Sequence, residues 1–238
     1  MSKTVRRGYF PSDEKEFYGE AISKLYKAGC DLYYLLNQGY QIKGASVFVG
    51  NHYLLSERQR LALVRTIAPK ENIEIRKSKE IITGLEDSTI HIDGFNTIIT
   101  LEVAFSGSPL FQCMDGTIRD LAGLRGTYRL IDKTDLAITQ IGKVLEKNKI
   151  RKAVFYLDAP VSNSGKLRER IRQLLSICNF EVQVNNINNV DSVLETLDYV
   201  ATSDAIILDK CKSWFNLTKA IIEKAIENYP YINFIETP

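Results

Sequence analysis

Three segments of the chain share one design: TIHID (89–93), VFYLD (154–158) and AIILD (205–209). Each is an apolar, β-prone run closed by a single aspartate, Asp93, Asp158 and Asp209. The strands of a parallel sheet all end on one edge, and open α/β sheets bind ligands there. Three carboxylates from three strands would then meet in one cleft. Like charges at such range repel, so a proton or a cation must sit between them. An oxygen-only donor set with few histidines suits Mg²⁺ or Mn²⁺ rather than Zn²⁺. An ion held this way clamps phosphate oxygens and lowers the pKa of a bound water, which points to metal-dependent hydrolysis of a phosphodiester. An aspartate after a strand is also a common turn former or helix N-cap, so a lone one would carry no weight.

Other residues can join the three. Asn96, in Asp93-Gly94-Phe95-Asn96, is spaced to orient a water or a phosphate oxygen, or else to make an Asx turn. Asp120 and Asp191 are candidate supplementary ligands, the latter equally suited to N-capping. Glu102 is a weaker candidate, because its apolar neighbours make an unpartnered carboxylate costly. Asp115 precedes Gly116 and reads as a turn residue, and Asp204, just before AIILD, falls on the opposite edge from the three tips. The loop DAPVSNSGKLRER departs from a P-loop at Pro160 and Leu167. Its Ser162, Asn163, Ser164, Gly165 and Lys166 still lead into a helix N-terminus suited to an anion. Arg119, Arg125 and Arg129, with Tyr128, form a second basic patch suited to backbone contact and base stacking. Ion pairing with nearby acids is the alternative for those arginines.

These residues require a parallel sheet to position them. From residue 88 onward, short apolar runs alternate with amphipathic stretches, the pattern of strands joined by crossover helices. Strands are expected at 89–92, 153–157, 180–184, 205–208 and 232–235, with a further one at 109–113. Helices are expected near 132–148, 165–178, 191–202 and 213–228. Residues 12–67 read as four short helices resembling a helix-turn-helix module, with a break at Gly29, a cap at Asp31 and a capping box at Ser56 and Gln59. The chain thus divides into a helical domain (1–70), a connector with an edge strand at 73–75 (71–87) and an α/β domain (88–238).

Composition agrees with a globular chain: 238 residues, 45% hydrophobic and 25% charged, which excludes a disordered tail, a fibre or a small disulfide scaffold. Four scattered cysteines without a C-x-x-C pair, and only two histidines, argue against a zinc centre. No long apolar run suggests a leader or a membrane span, so a cytoplasmic protein is expected. The net charge of +2 hides an asymmetry. Residues 1–85 carry fourteen Lys+Arg against nine Asp+Glu, and the remainder seventeen against twenty. That asymmetry hints at a phosphate-seeking module beside a carboxylate-bearing one.

The segments LLNQGYQIKGASVFVGNHYLLSERQRLAL, IDGFNTIITLE, DGTIRDLAGLRGTYR, YLDAPVSNSGK and ATSDAIILDKCKSWFNL together resemble, over nearly the whole chain, an uncharacterised and mainly archaeal family of two-part proteins of unknown function. More distantly, the second half resembles the PIN-like nucleases, especially their NYN branch. Asp93-Gly94-Phe95-Asn96 matches the Asp-Gly-x-Asn opening of that group, Asp158 its second acid, Val190-Asp191 its Val-Asp, and Asp209 its final acidic strand end. The group's Ser-Gly-Asp is replaced by Leu208-Asp209-Lys210, a departure from a full two-metal set.

The resemblance implies a Rossmann-like, PIN-like domain and a nuclease using Mg²⁺ or Mn²⁺ and no organic cofactor. Its metal ligands would be Asp93, Asp158 and Asp209, and its partner nucleic acid, RNA foremost. No membrane is expected, and a homodimer is compatible with the sequence. Two alternatives stay open: a non-catalytic RNA- or nucleotide-binding protein, and a DNA-binding regulator led by Arg58, Arg60 and Arg65 of the helical half.

Overall fold

A computed structural model of the chain describes residues 5–123 and 126–235. Its elements in chain order are α1 (Asp13–Glu16), α2 (Glu20–Asn37), α3 (Ile42–His52), α4 (Glu57–Thr66), α5 (Lys70–Ser78), β1 (Thr89–Asp93), α6 (Gly94–Phe105), β2 (Phe111–Gln112), β3 (Ile118–Arg119) and α7 (Thr134–Lys147). They continue with β4 (Lys152–Asp158), α8 (Ser164–Leu175), β5 (Glu181–Ile187), α9 (Val190–Leu194), β6 (Val200–Ala201), α10 (Ala205–Lys210), α11 (Leu217–Ala225) and β7 (Ile232–Asn233). The expected α/β architecture behind a helical region is present.

The main sheet has the order β5-β4-β1-β6, and every pairing in it is parallel. β1 is followed in space by β4 and β5 on one side, whereas β6 crosses to the other. The order therefore reverses between β1 and β6, which makes that gap the topological switch point. α6, α7, α8 and α11 bury their apolar faces on one side of the sheet, through residues such as Ile98, Leu101, Ile138, Ile141, Leu167 and Ile221. Val154, Tyr156, Val190, Leu194, Val200, Ile207 and Trp214 fill the other side.

A second, three-stranded sheet has the order β3-β2-β7. Its Phe111 and Ile232, with Met114 and Phe234, share one core with Leu25, Leu32, Leu63 and Ile67 of the helical region. The helical half is thereby packed on the α/β half. Helix α2 runs straight through Gly29, correcting the expected break. A Cβ there would stand 3.3 Å from Phe234 and 3.4 Å from Ile67, so the glycine serves close packing rather than termination. Gly39 does the terminating, at φ +86, in a Schellman motif with Gly39 N–H donating to Leu36 O and Tyr40 N–H to Leu35 O. The Ser56–Gln59 capping box on α4 is formed in both directions.

Two expected strands are helices. The stretch 73–75 lies within α5, where Ile73 and Arg76 are buried and Ile75 is exposed, an i, i+3 pattern rather than alternation. The run 205–208 is the start of α10, with Asp204 accepting from Ile206 N–H and Ile207 N–H as its N-cap. A four-residue apolar run does not distinguish strand from buried helix, and the cap decides it. The fourth strand of the main sheet is instead the short β6, where a helix was expected to run to 202. The strand near 232 joins the small sheet beside β2. Among the described residues no helix is long and apolar enough to cross a membrane.

Candidate active site

The site grows out of the end of β1. Asp93 is both the last residue of the strand and the N-cap of α6, which starts at once with Gly94. A Cβ on Gly94 would stand 2.5 Å from Leu157 Cδ2 and 3.0 Å from Tyr156 O, so a side chain here would crowd the point where the helix leaves the strand. The Asp93 carboxylate is 7% exposed. Thr202 Oγ1–H donates to its Oδ2 (2.9 Å) and Asn96 N–H to its Oδ1 (3.3 Å). Burial pushes its pKa up to about 7; Asp204 and Asp191 push the same way, while the Thr202 and Asn96 hydrogen bonds offset part of the rise.

Asn96 projects across the switch point. Its Oδ1 accepts from Ser203 N–H (2.9 Å) and Ser203 Oγ–H (3.0 Å), which turns its Nδ2 donors away from the 203 loop. A cleft of about 230 Å³ opens at this point, walled by Asn96, Ser203 and Asp204 on the sheet edge and by Asp120, Arg119 and Arg65 opposite. Arg65 comes from α4, so the helical region supplies one wall. Its Nη1–H donates to Asp120 O (2.5 Å).

The other expected acids divide. Asp158 ends β4, two residues beyond the Tyr156 that pairs with Asp93. Its pKa is raised by burial and partly restored by its own N–H and that of Val190. Asp191, exposed in the first turn of α9, is raised by loss of solvent around its carboxyl, then by Asp204 and Asp158. Asp93, Asp204, Asp191 and Asp158 are thus linked electrostatically along one edge.

Asp209 is not part of that edge. It closes helix α10 and is held bidentately by Arg76, Nε to Oδ1 at 2.7 Å and Nη2 to Oδ2 at 3.0 Å. The premise that it tips a strand is overturned, and with it the Asp93–Asp158–Asp209 metal triad. Asp120 is buried, accepting from Thr100 Oγ1–H (2.8 Å) and Ala122 N–H (2.7 Å), and lines the cleft beside Arg65. Glu102 is fully buried against Arg7 (2.7 Å), Tyr128 Oη–H (2.8 Å) and Thr134, the partner set its burial demands, and is a packing residue rather than a ligand.

Most of the expected basic and anion-binding groups are occupied internally. Arg119 is buried, donating to Ser203 O (2.7 Å), Asp115 Oδ2 (2.7 Å) and Arg65 O, so it braces the Ser203 loop instead of forming an exposed patch. Tyr128 is 2% exposed and cannot stack on a base. Arg129 is exposed, and Arg125 lies outside the described residues. Ser162 and Asn163 bind the Tyr128 backbone, with Asn163 Nδ2–H donating to Tyr128 O at 2.6 Å, and Ser164 is buried beneath the loop. Gly165 and Lys166 are exposed at the start of α8. Arg58 is bound to Asp13, Gly8 O and Leu121 O, and Arg60 to Leu55 O, so neither is a free basic side chain for DNA.

Asp115 makes its expected turn, accepting from Thr117 N–H (3.1 Å), and also joins Arg76 (2.8 Å) and Arg119 in a buried ionic cluster. Burial acts to raise its pKa, but Arg119, Thr117 and Arg76 outweigh that and hold it at about 2.

Asp204, Ser203 and Arg65 are the site residues that sequence reasoning misplaced or missed. The signal was there in Thr202-Ser203-Asp204, an N-cap sequence directly before an apolar run. Among the described residues no three His, Cys, Asp or Glu side chains stand close enough to hold an ion by themselves. Mg²⁺ commonly takes only one or two carboxylates and keeps several waters. Asp93 and Asp204, linked through the Thr202 hydroxyl, offer oxygen donors of the kind that mode uses.

With this geometry in hand, comparison with known proteins is direct. Residues 82–220, more than half of the chain, match the family model DUF5616, a domain of unknown function, and the chain belongs to that family. Residues 24–79 match a second model, DUF434, a protein of unknown function. The uncharacterised protein MJ0935 of Methanocaldococcus jannaschii is 38% identical over 183 residues, which cover 76% of this chain and 88% of that protein. The expected membership in an uncharacterised, two-part family with an archaeal relative is borne out. No solved structure matches the chain.

Proposed function

We propose that this protein hydrolyses phosphodiester bonds, with RNA as substrate, using Mg²⁺ or Mn²⁺ at the C-terminal edge of its parallel sheet. The observation that carries the reading is the buried Asp93 at the β1–β6 switch point, joined through the Thr202 hydroxyl to the backbone of Asp204 and set beside Asn96, which lines the cleft with Asp204. A buried carboxylate that feels the negative charge of Asp204 and Asp191 is unfavourable without a proton or a cation beside it. Asp93 and Asp204 would hold the ion, and Asp191 and Asp158 extend the negative edge. A bound ion supplies Lewis-acid polarisation of a phosphoryl oxygen and activation of water.

The chain's own residues do the positioning. Asn96 Nδ2–H donates to a phosphate oxygen, with Ser203 fixing the amide from behind. Arg65 lines the same cleft and, unlike the buried Arg119, is open enough to offer a cation to a phosphate. The resemblance to PIN-like nucleases implies the same chemistry.

The test incubates labelled RNA with Mn²⁺ and wild type, Asp93→Asn, Asp158→Asn or Asp204→Asn. Cleavage by wild type that is lost in Asp93→Asn and Asp204→Asn is expected. Equal cleavage by all four proteins identifies a contaminant and overturns the proposal. Binding of RNA without Mn²⁺-dependent cleavage by wild type also overturns it, in favour of a non-catalytic binding role.

A further inference from the structure

A second cleft, of about 620 Å³, runs between the helical region and α10. It shares Val64, Arg119, Ala205 and Ile206 with the cleft at the switch point, so the two form one continuous groove. Its character differs from that of the acid edge. Tyr40 and Ile206, which both line it, are 60% and 58% exposed, and Val64 lines it as well. Gln41 and Asn72 lie along it, and neither side-chain amide bonds to another described residue. None of its lining residues is a carboxylate. Tyr40 is held at the end of the Schellman motif, where its own N–H closes on Leu35 O (3.1 Å). Its ring is thereby presented on a fixed backbone.

We propose that this cleft receives a base of a single-stranded nucleic acid, adjacent to the phosphate bound at the Asp93–Asp204 edge. The inference rests on the preceding reading for the position of that phosphate. An exposed aromatic ring facing aliphatic side chains suits the flat apolar faces of a base. Unpaired Gln and Asn amides suit its hydrogen-bonding edge, which only an unpaired strand presents. The volume lies within the range of small-ligand sites, about 300–1,000 Å³. The helical region then acts as the base-binding half of the substrate site, and Val64 of α4, which lines both clefts, joins the two halves. This gives a role to an apolar wall that is otherwise left facing solvent.

The experiment measures equilibrium binding to the full chain in Ca²⁺, so that cleavage does not interfere. The probes are a short fluorescent single-stranded RNA, the same sequence as DNA, the RNA in a duplex, and an abasic strand of equal length. Wild type should bind both single strands at least about tenfold more tightly than the abasic strand or the duplex, the scale of one stacked base. Tyr40→Ala should lose about tenfold for the single strands and nothing for the abasic strand, while Tyr40→Phe retains affinity. Equal RNA and DNA affinities assign recognition to the base, and an RNA preference adds a contact to the 2′-hydroxyl; both support the subsite. Equal affinity for based and abasic strands, an unchanged Tyr40→Ala, or no binding to any strand overturns it. An unchanged melting temperature of Tyr40→Ala establishes that a loss is not unfolding. Base-dependent binding without Mn²⁺-dependent cleavage would sink the nuclease reading alone, and cleavage without base-dependent binding would sink this subsite alone.

Discussion

Asp93→Asn should make the protein more stable at pH 8 while disabling its site. The carboxyl is held up to about 7, against an ordinary value of 3.8, chiefly by burial and then by Asp204 and Asp191. A raised acid favours the folded state only while it keeps its proton. Below about pH 4 both folded and unfolded chains are protonated at this position, and it costs nothing. Between about pH 4 and pH 7 the unfolded chain ionises and the folded chain does not, so stability falls steadily. Above about pH 7 the full penalty applies, about 4 kcal/mol at 1.36 kcal/mol per pKa unit.

Asparagine removes that penalty but exchanges one acceptor for a donor. Either the Asn96 N–H or the Thr202 hydroxyl must then find another arrangement, at about 1 kcal/mol. The net expectation is a gain of about 3 kcal/mol at pH 8 and a loss of about 1 kcal/mol at pH 4. For a chain of this size each kcal/mol shifts the melting temperature by about 2–4 °C, so the gain at pH 8 is roughly 6–12 °C. Thermal and urea denaturation across pH 4–8 measures it. Mn²⁺ added at pH 8 should raise the wild-type melting temperature through its affinity for the folded state and leave Asp93→Asn unmoved. An Asp93→Asn protein that is less stable than wild type at pH 8, or that keeps the wild-type slope between pH 4 and 7, would refute the electrostatic account of the edge.

Arg76→Met should destabilise the chain by about 3–5 kcal/mol in chemical denaturation, because it strips a buried partner from Asp115 and the bidentate partner from Asp209. Gly94→Ala should cost about 1–3 kcal/mol, as its Cβ would press on Leu157 and on the Tyr156 carbonyl, which backbone hydrogen bonding holds in place. A melting temperature within 1 °C of wild type would show that the strand–helix junction can yield.

Local signals in the sequence were sufficient where they were also the deciding forces. Thr89–Asp93 and Lys152–Asp158 are apolar runs long enough to be buried strands, and Ser56 with Gln59 satisfies orphan helix N–H groups whatever lies nearby. So the parallel α/β class, the helical front, the family and the aspartates at the ends of β1 and β4 could be read from residues alone. At 205–209 the local signal was ambiguous, and an apolar run with a terminal acid served equally as strand or helix. Asp204 as N-cap and the pairing of Val200–Ala201 with β1 resolved it. That single change exchanged Asp209 for Asp204 at the edge, because one sits at the far end of the helix that the other begins.

The sequence by itself determined which residue types were available: oxygen donors without a zinc set, a helical region, and an Asp-Gly-x-Asn segment at the end of an apolar run. Tertiary structure alone decided which of them meet. The partners of Arg58, Arg119, Glu102 and Tyr128 could not be read along the chain, because burial obliges each to satisfy its polar group against distant residues, at separations from 26 to 95 residues. Arg65 stood out in the sequence only as a basic residue of a helical half read for DNA, and Tyr40 gave no signal of its own. They border the site because the core formed with Phe111, Ile232 and Phe234 seats the helices against the switch point, a long-range contact that no local pattern encodes.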